Sequence, residues 1–278
     1  MGPKIVIVGT GAVGGYAGAY MVRAGRDVTF IDPWPEHVEH MRKHGLRVTH
    51  AKDVAEFSVS VRALHVTDAQ QLAKEQPVDI AFDCMKSYDT AWATTMIAQY
   101  LARDGYVVSL QNCMNEETVA RVVGWSKTLG CIASSITVNL PEPGHIHRGA
   151  GKGGAAHTVF RAGEVHGRIT QRAKDVCELV GYADSAIVTS NLWGERWSKL
   201  VANVMGNGLS ACNASIFSFR AWPTGGWVMR GTGEWLISAR STCTSVLPSL
   251  ARDRGNRCRF TSALAASGEI LSLSPSSA

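Results

Sequence analysis

The glycine-rich segment Gly9–Gly14 is the feature that most constrains the fold of this 278-residue chain. It reads Gly-Thr-Gly-Ala-Val-Gly, directly follows the apolar run Lys4–Val8, and opens a segment of small and apolar residues with helical spacing. In this context the first glycine permits a tight turn, the second lets the backbone approach a phosphate, and the third lets helix and strand pack closely. The helix start supplies N–H groups and partial positive charge for an anion. The pattern predicts dinucleotide binding by Gly9, Thr10, Gly11, Ala12, Val13 and Gly14.

Apolar runs and helical segments alternate after this loop, which predicts a parallel sheet with helices on both faces. Predicted strands cover residues 27–31, 57–66, 78–82, 106–110, 130–140 and 156–162. Predicted helices cover residues 36–43, 90–101, 170–179 and 191–211. We therefore expect an α/β fold, in which a Rossmann-type doubly wound parallel sheet (1–189) is followed by a truncated or aberrant all-helical second domain (190–278).

Asp32 ends the second predicted strand, 21 residues after Gly11. A carboxylate at this position binds the ribose 2′-OH of NAD and repels the 2′-phosphate of NADP. The alternative is that Asp32 only caps the turn before Pro33. His37, Arg42 or Lys43 would offset a phosphate, so the sequence favours NADH without fixing the cofactor.

The helix predicted over 191–211 carries a polar stripe, because Glu195, Lys199, Asn203 and Asn207 recur every four residues. One interpretation is a solvated face with a Glu195–Lys199 ion pair. The other is a polar cleft. Asparagine is a poor helix former, so two asparagines and a lysine on one stripe favour a cleft that binds a ligand.

Four segments carry a family resemblance: the glycine loop, Cys84–Thr90, Leu110–Glu117 and Trp197–Ala211. Together, and in this order, they resemble the ketopantoate reductases (2-dehydropantoate 2-reductases). The resemblance extends from about residue 4 to residue 211. It implies NADPH-dependent reduction of a 2-oxo acid, 2-ketopantoate, to pantoate on the route to pantothenate and coenzyme A, with the substrate held between a Rossmann domain and a helical domain.

The resemblance also implies roles for single residues. Lys199 is the general acid that protonates the ketone oxygen as hydride reaches the carbon, Asn203 and Asn207 bind the substrate, Asn112 lies beside the nicotinamide, and Lys86 lies on the cofactor side of the cleft. An ammonium suits a carbonyl oxygen that develops negative charge. Two alternatives stay open: another hydroxy-acid or opine-type dehydrogenase, and a dinucleotide-binding module without catalysis.

Residues 213–278 do not match the family. They hold seven arginines, no lysine, three acidic residues and twelve serines, so they carry a net charge of +4 out of the chain's +5. The family's glutamate that positions the lysine has no counterpart here. We hypothesise that a frameshift or an unrelated extension begins near 212–220, which leaves a tail that is atypical or disordered.

Composition excludes several other classes. Without a basic run, the net charge of +5 gives no reason to expect a nucleic-acid partner. The seven cysteines form no CxxC pair, which predicts a reducing, cytoplasmic environment and no metal site. His145 and His147 lack a third ligand nearby. No apolar stretch is long enough to predict a membrane span, and the sequence leaves the oligomeric state open, a homo-oligomer included.

Overall fold

The computed structural model describes residues 2–51, 54–154 and 157–205, and beyond them the backbone of five short strands. The helices are α1 (Ala12–Arg23), α2 (Pro35–His44), α3 (Thr90–Ala98), α4 (Glu116–Val123), α5 (Gln171–Gly181) and α6 (Leu192–Asn203). The first twelve strands are β1 (Ile5–Val8), β2 (Val28–Asp32), β3 (Leu46–His50), β4 (Phe57–Val59), β5 (Arg62–His65), β6 (Val78–Asp83), β7 (Leu101–Ser109), β8 (Thr128–Ala133), β9 (Val138–Glu142), β10 (His145–Arg148), β11 (Phe160–Glu164) and β12 (Ala186–Val188). Three short 3₁₀ helices cover Val66–Lys74, Ser87–Asp89 and Trp125–Lys127.

The main sheet has eight strands in the order β12-β11-β8-β7-β6-β1-β2-β5. Its strands from β5 to β8 pair in parallel, β11 pairs with β8 antiparallel, and β12 pairs with β11 in parallel. The chain order reverses direction at β1, so the ends of β1 and β6 border the crevice where ligands bind in doubly wound sheets. This confirms the predicted Rossmann-type architecture.

Two apolar clusters cover the two faces of this sheet. The larger one packs α1 and α5 against residues such as Ile7, Phe30 and Phe160. The second packs α3 and α4 against residues such as Val8, Ala81 and Val107. Both faces of the central strands are therefore buried, which explains why β1 and β2 are largely continuous apolar runs.

The single strand predicted over 57–66 is wrong, because the chain divides there into β4 of a second, smaller sheet and β5 of the main sheet. The sequence did not predict this smaller sheet. It has the order β4-β3-β10-β9 and contacts α1. The single strand predicted over 130–140 is wrong, because the chain turns at Ser135, whose φ is +53°, and divides into β8 and β9.

The helix predicted over 191–211 is described as α6, Leu192–Asn203. Residues 206–217, and with them Asn207, lie outside the described part of the chain. The strands described after α6 are β13 (Ser218–Ala221), β14 (Gly226–Arg230), β15 (Leu236–Arg240), β16 (Ser249–Arg252) and β17 (Cys258–Thr261). The expected helical second domain is thus represented by α6 alone among the described elements. Glycine, proline and serine recur at short intervals from 213 onward, which lowers helix propensity there.

Candidate active site

The three glycines of the loop differ in what surrounds them. Gly9 has a φ of +93°, and a Cβ there would lie 2.7 Å from Met85 Sδ. A Cβ on Gly14 would lie 2.2 Å from the Gly9 carbonyl oxygen and 2.8 Å from Cys84 Cβ. By contrast, a Cβ on Gly11 would meet no atom within 4 Å. The outer glycines are therefore required for packing, whereas the middle one borders open space.

Thr10 is held from both sides. Its N–H donates to Asp32 Oδ2 (2.7 Å), and its carbonyl accepts from His37 Nε2 (3.0 Å). The opposite ring nitrogen of His37 accepts from the Gly144 N–H (2.9 Å), which fixes the tautomer with the proton on Nε2. Burial is the main cause that lowers the pKa of His37, so the ring is neutral. This clamp ties the loop to both β2 and the smaller sheet.

The structure thus gives Asp32 a direct structural role. Its second oxygen, Oδ1, accepts from the Trp34 N–H (2.9 Å), so the interpretation as a turn cap is confirmed, and a ribose contact stays a prediction. His37 is fully buried and Arg42 is bound to Glu39, Asp68 and the Ala63 carbonyl. Neither side chain is available to a 2′-phosphate in this arrangement.

Lys199 lies across the carboxyl ends of β7 and β8. Its Nζ donates to Asn112 Oδ1 (2.7 Å) and to the Ala133 carbonyl. Burial, and then repulsion from Arg196, lowers the pKa of Lys199 to about 8. The two residues expected at the reacting end of the cofactor therefore contact each other. The alternative Glu195–Lys199 pair is wrong, because Glu195 pairs with Arg161 (3.4 Å).

The segments 84–90 and 110–117 are joined by side chains that the sequence analysis did not single out. Gln111 Nε2 donates to the Met85 carbonyl (2.9 Å) and to Thr90 Oγ1 (2.8 Å). Asn115 Nδ2 donates to the Asn112 carbonyl (2.7 Å). Because Met85 also packs beside Gly9, these bonds connect the glycine loop to the lysine through a continuous set of contacts.

Arg196 and Glu116 were also missed. They form a buried ion pair, with Arg196 Nε donating to Glu116 Oε1 (2.8 Å), that joins α6 to α4. A charged residue three positions from Lys199 on an amphipathic helix gives no signal of burial in the sequence, so only the packing of α6 against the sheet shows it.

The other predicted site residues that the structure describes include Lys86, Ala12, Val13 and Asn203. Lys86 is exposed and precedes the 3₁₀ helix Ser87–Asp89, at the carboxyl end of β6. Ala12 and Val13 form the first turn of α1, where no side chain caps the helix. Asn203 is the last residue of α6, four positions after Lys199. The structure places Lys86 and the glycine loop at the same edge of the sheet as Lys199.

Asp83 adds a further titratable group at this edge. It ends β6, is 1% exposed, and accepts from the Met85 N–H (3.1 Å). Burial raises the pKa of its carboxyl to about 7. The side chain supports the turn that carries Met85 and Lys86, so its role here is to shape the crevice.

A concavity of about 470 Å³ lies at the opposite edge of the sheet, lined by Trp125, Ser126, Val165, His166 and Trp193. Trp125 precedes β8 and Val165 follows the antiparallel β11. The concavity is therefore separated from Lys199 by the length of β8. We assign the site to the edge with the glycine loop, because the loop and the lysine converge there.

Within the described ranges no group of His, Cys, Asp and Glu side chains could hold a metal. No described helix is long and apolar enough to cross a membrane.

The residues present fit a dinucleotide. The uncapped first turn of α1 offers N–H donors, and Gly11 leaves space for a phosphate at close approach. Thr10 Oγ1 is buried and has no hydrogen-bond partner among the described residues, so it is a polar atom that a ligand group could satisfy.

Comparison with known proteins gives a consistent result. The sequence model of the family described as ketopantoate reductase PanE/ApbA matches residues 5–157. A 2-dehydropantoate 2-reductase of Archaeoglobus fulgidus is 32% identical over 210 residues, which are 75% of this chain and 63% of the relative. One from Nostoc sp. is 30% identical over 74% of this chain and 62% of the relative. The crystal structure of 2-dehydropantoate 2-reductase from Geobacter metallireducens has a TM-score of 0.65 at 28% identity, covering 76% of this chain and 66% of that one. The chain spans somewhat less than two thirds of the length of these curated relatives.

Proposed function

Since this chain belongs to the ketopantoate reductase family, we propose that it binds a nicotinamide dinucleotide and reduces a 2-oxo acid, 2-dehydropantoate, to the 2-hydroxy acid. The bound cofactor would supply hydride to the carbonyl carbon. The chain's own contribution is to hold the pyrophosphate on the N-terminus of α1, to orient the ketone, and to deliver a proton to its oxygen.

The observation that carries this proposal is the placement of Lys199. Its ammonium has three N–H donors, of which one bonds to Asn112 Oδ1 and one to the Ala133 carbonyl. The third can reach a ketone oxygen. With its pKa lowered to about 8, the group is charged near neutrality and releases its proton readily, as a general acid requires.

Asn112 is proposed to act with Lys199 beside the nicotinamide. Its Oδ1 holds Nζ in place, while its carbonyl is fixed by Asn115. Asn203 and Asn207 are proposed to bind the hydroxyl and carboxylate ends of the substrate, because they follow Lys199 in the sequence by four and eight residues, the spacing of one helical face. Lys86 is proposed to contact the cofactor from the end of β6.

For the cofactor, we propose that NADH binds at least as well as NADPH. Asp32 stands at the end of β2, where its charge opposes a 2′-phosphate, and Arg42 is already bound to two carboxylates. Titration of both cofactors by intrinsic fluorescence tests this preference. A tenfold tighter dissociation constant for NADPH would contradict it.

The activity is tested by the absorbance of the reduced cofactor at 340 nm with 2-dehydropantoate and a panel of other 2-oxo acids. K199A is expected to lose turnover while it keeps its affinity for the cofactor. K127A is the matched control, because Lys127 lies beside the opposite edge of the sheet and bonds to the Ala102 carbonyl. If the chain reduces only a different 2-oxo acid, the proposed substrate is wrong. If it binds the cofactor but reduces none of the oxo acids, a binding module without catalysis is favoured.

A further inference from the structure

Arg196 is a fully charged side chain with only 1% of its surface exposed, and its partner Glu116 is completely buried. Besides the ion pair, the guanidinium donates to the carbonyls of Gln111 and Ser109, the latter at 2.9 Å. A buried ion pair rarely adds net stability, because desolvation of the two charges offsets their attraction. Net stability therefore does not explain this ion pair, and its neighbour Lys199 offers another explanation.

The guanidinium and the ammonium of Lys199 bind to the same two chain segments. Arg196 holds Gln111 and, at 3.5 Å, the Cys131 carbonyl. Lys199 holds the adjacent Asn112 and, two residues further along β8, Ala133. Arg196 thus fixes the backbone that presents both acceptors to Lys199.

The charges around Lys199 are not balanced. Arg196 lies three residues before it on α6, and its repulsion is the second cause, after burial, that lowers the pKa of Lys199. The thiols of Cys131 on β8 and Cys113 after β7 are also near the ammonium. Burial raises the pKa of Cys131 to about 12, so this thiol is neutral where Lys199 titrates. Glu116 faces Arg196 through Oε1, and its Oε2 has no hydrogen-bond partner in the described part of the chain. Glu116 therefore partly neutralises the charge of Arg196.

We infer that Arg196, with Glu116 as its counter-charge, is a positioning residue for the proton donor: it fixes the acceptors of Lys199 and sets how readily the ammonium gives up its proton. This inference rests on the proposed role of Lys199 and extends it to two residues that touch neither substrate nor cofactor. The pair then sets the pH range in which the ammonium is present and able to donate.

The test is the titration of the Lys199 amine itself, measured by competitive acetylation with trace acetic anhydride over pH 6–11 and mass spectrometry of the peptide that contains it. E116Q keeps the acceptor for Arg196 and removes the negative charge, so the midpoint should fall by about one pH unit. R196M/E116Q removes both charges and should raise it by about one pH unit. R196K keeps a positive charge and should stay closer to the unmodified chain than R196M/E116Q does.

E117Q is the matched control, because Glu117 is the neighbouring exposed residue and pairs with Arg121. Its midpoint for Lys199 should not move. Shifts of E116Q and R196M/E116Q in the same direction, or no shift in either, would overturn the inference, since a purely structural role predicts no opposite signs. If circular dichroism shows that R196M/E116Q does not fold, the downward shift of E116Q decides.

The labelling needs no turnover, so the two proposals fail separately. Opposite shifts in a chain that reduces no oxo acid would leave the charge tuning in place and remove the proposed function. An active chain whose Lys199 titration ignores both variants would keep the proposed function and remove this inference. In an active chain, the alkaline limb of the pH profile of kcat should follow the same shifts.

Discussion

Lys199 sits where burial and a neighbouring cation both oppose its charged form, which lowers its pKa to about 8. If the ammonium is the proton donor, the active form exists below this pKa and is lost as the pH rises through it. We expect kcat for 2-oxo acid reduction to fall about tenfold for each pH unit above about 8. A pH–rate profile from 6 to 10 at saturating cofactor tests this. A rate that stays flat to pH 10 would show that another group donates the proton.

Cys113 is exposed and has a φ of +67°, a left-handed conformation that side chains with a Cβ adopt at a cost. C113G should raise the free energy of unfolding by about 0.5–1 kcal/mol, because relief of this strain exceeds the added entropy of the unfolded chain. Urea unfolding measures the change. C177G is the control, since Cys177 lies within α5 and a glycine there should destabilise the protein by a similar amount. Equal destabilisation by both would contradict the role of φ.

Single residues differ in how far the sequence identifies them. The lysine and Asn112 stand in recognisable segments and are joined by a hydrogen bond, and their place at the reacting end of the cleft stays a prediction. Arg196 and Glu116 gave no signal, because a charged residue on a helix reads as solvated unless its tertiary partner is known. Asp32 gave a signal with two meanings, and the structure supports the turn cap, because its carboxylate accepts from the backbone N–H groups of Thr10 and Trp34.

At the scale of elements, alanine substitutions at the glycines of the loop should have different effects. G11A should leave the fold intact, since nothing lies within 4 Å of the added Cβ and its φ of −64° suits alanine. It should weaken cofactor binding by at least about tenfold, because the methyl group occupies the phosphate's approach. G14A should destabilise the protein by about 3 kcal/mol or more, since its Cβ overlaps the Gly9 carbonyl.

Thermal unfolding and fluorescence titration on the two variants separate these outcomes. The loop would not be the phosphate site if G11A bound NADH and NADPH as tightly as the unmodified chain.

The clamp between β2, the glycine loop and the smaller sheet depends on a neutral His37. Its folded pKa is lowered, mainly by burial, so the unfolded chain takes up a proton first as the pH falls through about 6.5. The contribution of His37 to stability is therefore complete above pH 6.5 and is lost as the pH falls below it.

H37Q can donate to the Thr10 carbonyl and accept from the Gly144 N–H without titrating. We expect the difference in free energy of unfolding between the two proteins to change in favour of H37Q between pH 7 and 5. Chemical unfolding at each pH gives this difference directly and cancels the titration of the other groups. A difference that is constant with pH would contradict the clamp's dependence on neutral His37.

Elements with long apolar runs were predictable, and short ones were not. The strands β1, β2 and β6 and the helices α1 and α5 follow from periodicity, because burial on one or both faces imposes it. The smaller sheet is built from strands of three to five residues that are partly exposed, so its pattern is too short to distinguish strands from loops. This sheet becomes recognisable only when its packing against α1 is known.

At the scale of the whole molecule, α6 exposes apolar side chains that a soluble helix normally covers. Trp197, Val201 and Val204 are 55%, 50% and 62% exposed and lie on one face of the helix and its continuation. Such a stripe marks a surface for further packing. The match to the Archaeoglobus fulgidus relative covers 75% of this chain, and the seven arginines of 213–278 place most of the net charge in that last segment. The frameshift hypothesis stays a prediction.

A chimera tests what the matched part needs for full activity. Residues 1–211 would be joined to the portion of the Archaeoglobus fulgidus relative that follows its matched region, since the match spans 63% of that protein. We expect the chimera to turn over 2-dehydropantoate at least about tenfold faster than the chain itself, equivalent to about 1.4 kcal/mol of transition-state stabilisation. The physical reason is that a domain packed on α6 closes the crevice over Lys199 and excludes water.

The same chimera should show a blue-shifted tryptophan emission, because Trp197 would become buried. The control is the chimera with K199A, which should keep the spectral shift and lose the gain in rate. A chimera that buries Trp197 without any gain would show that residues 1–205 already hold what the reaction needs, and that the exposed stripe on α6 serves another contact.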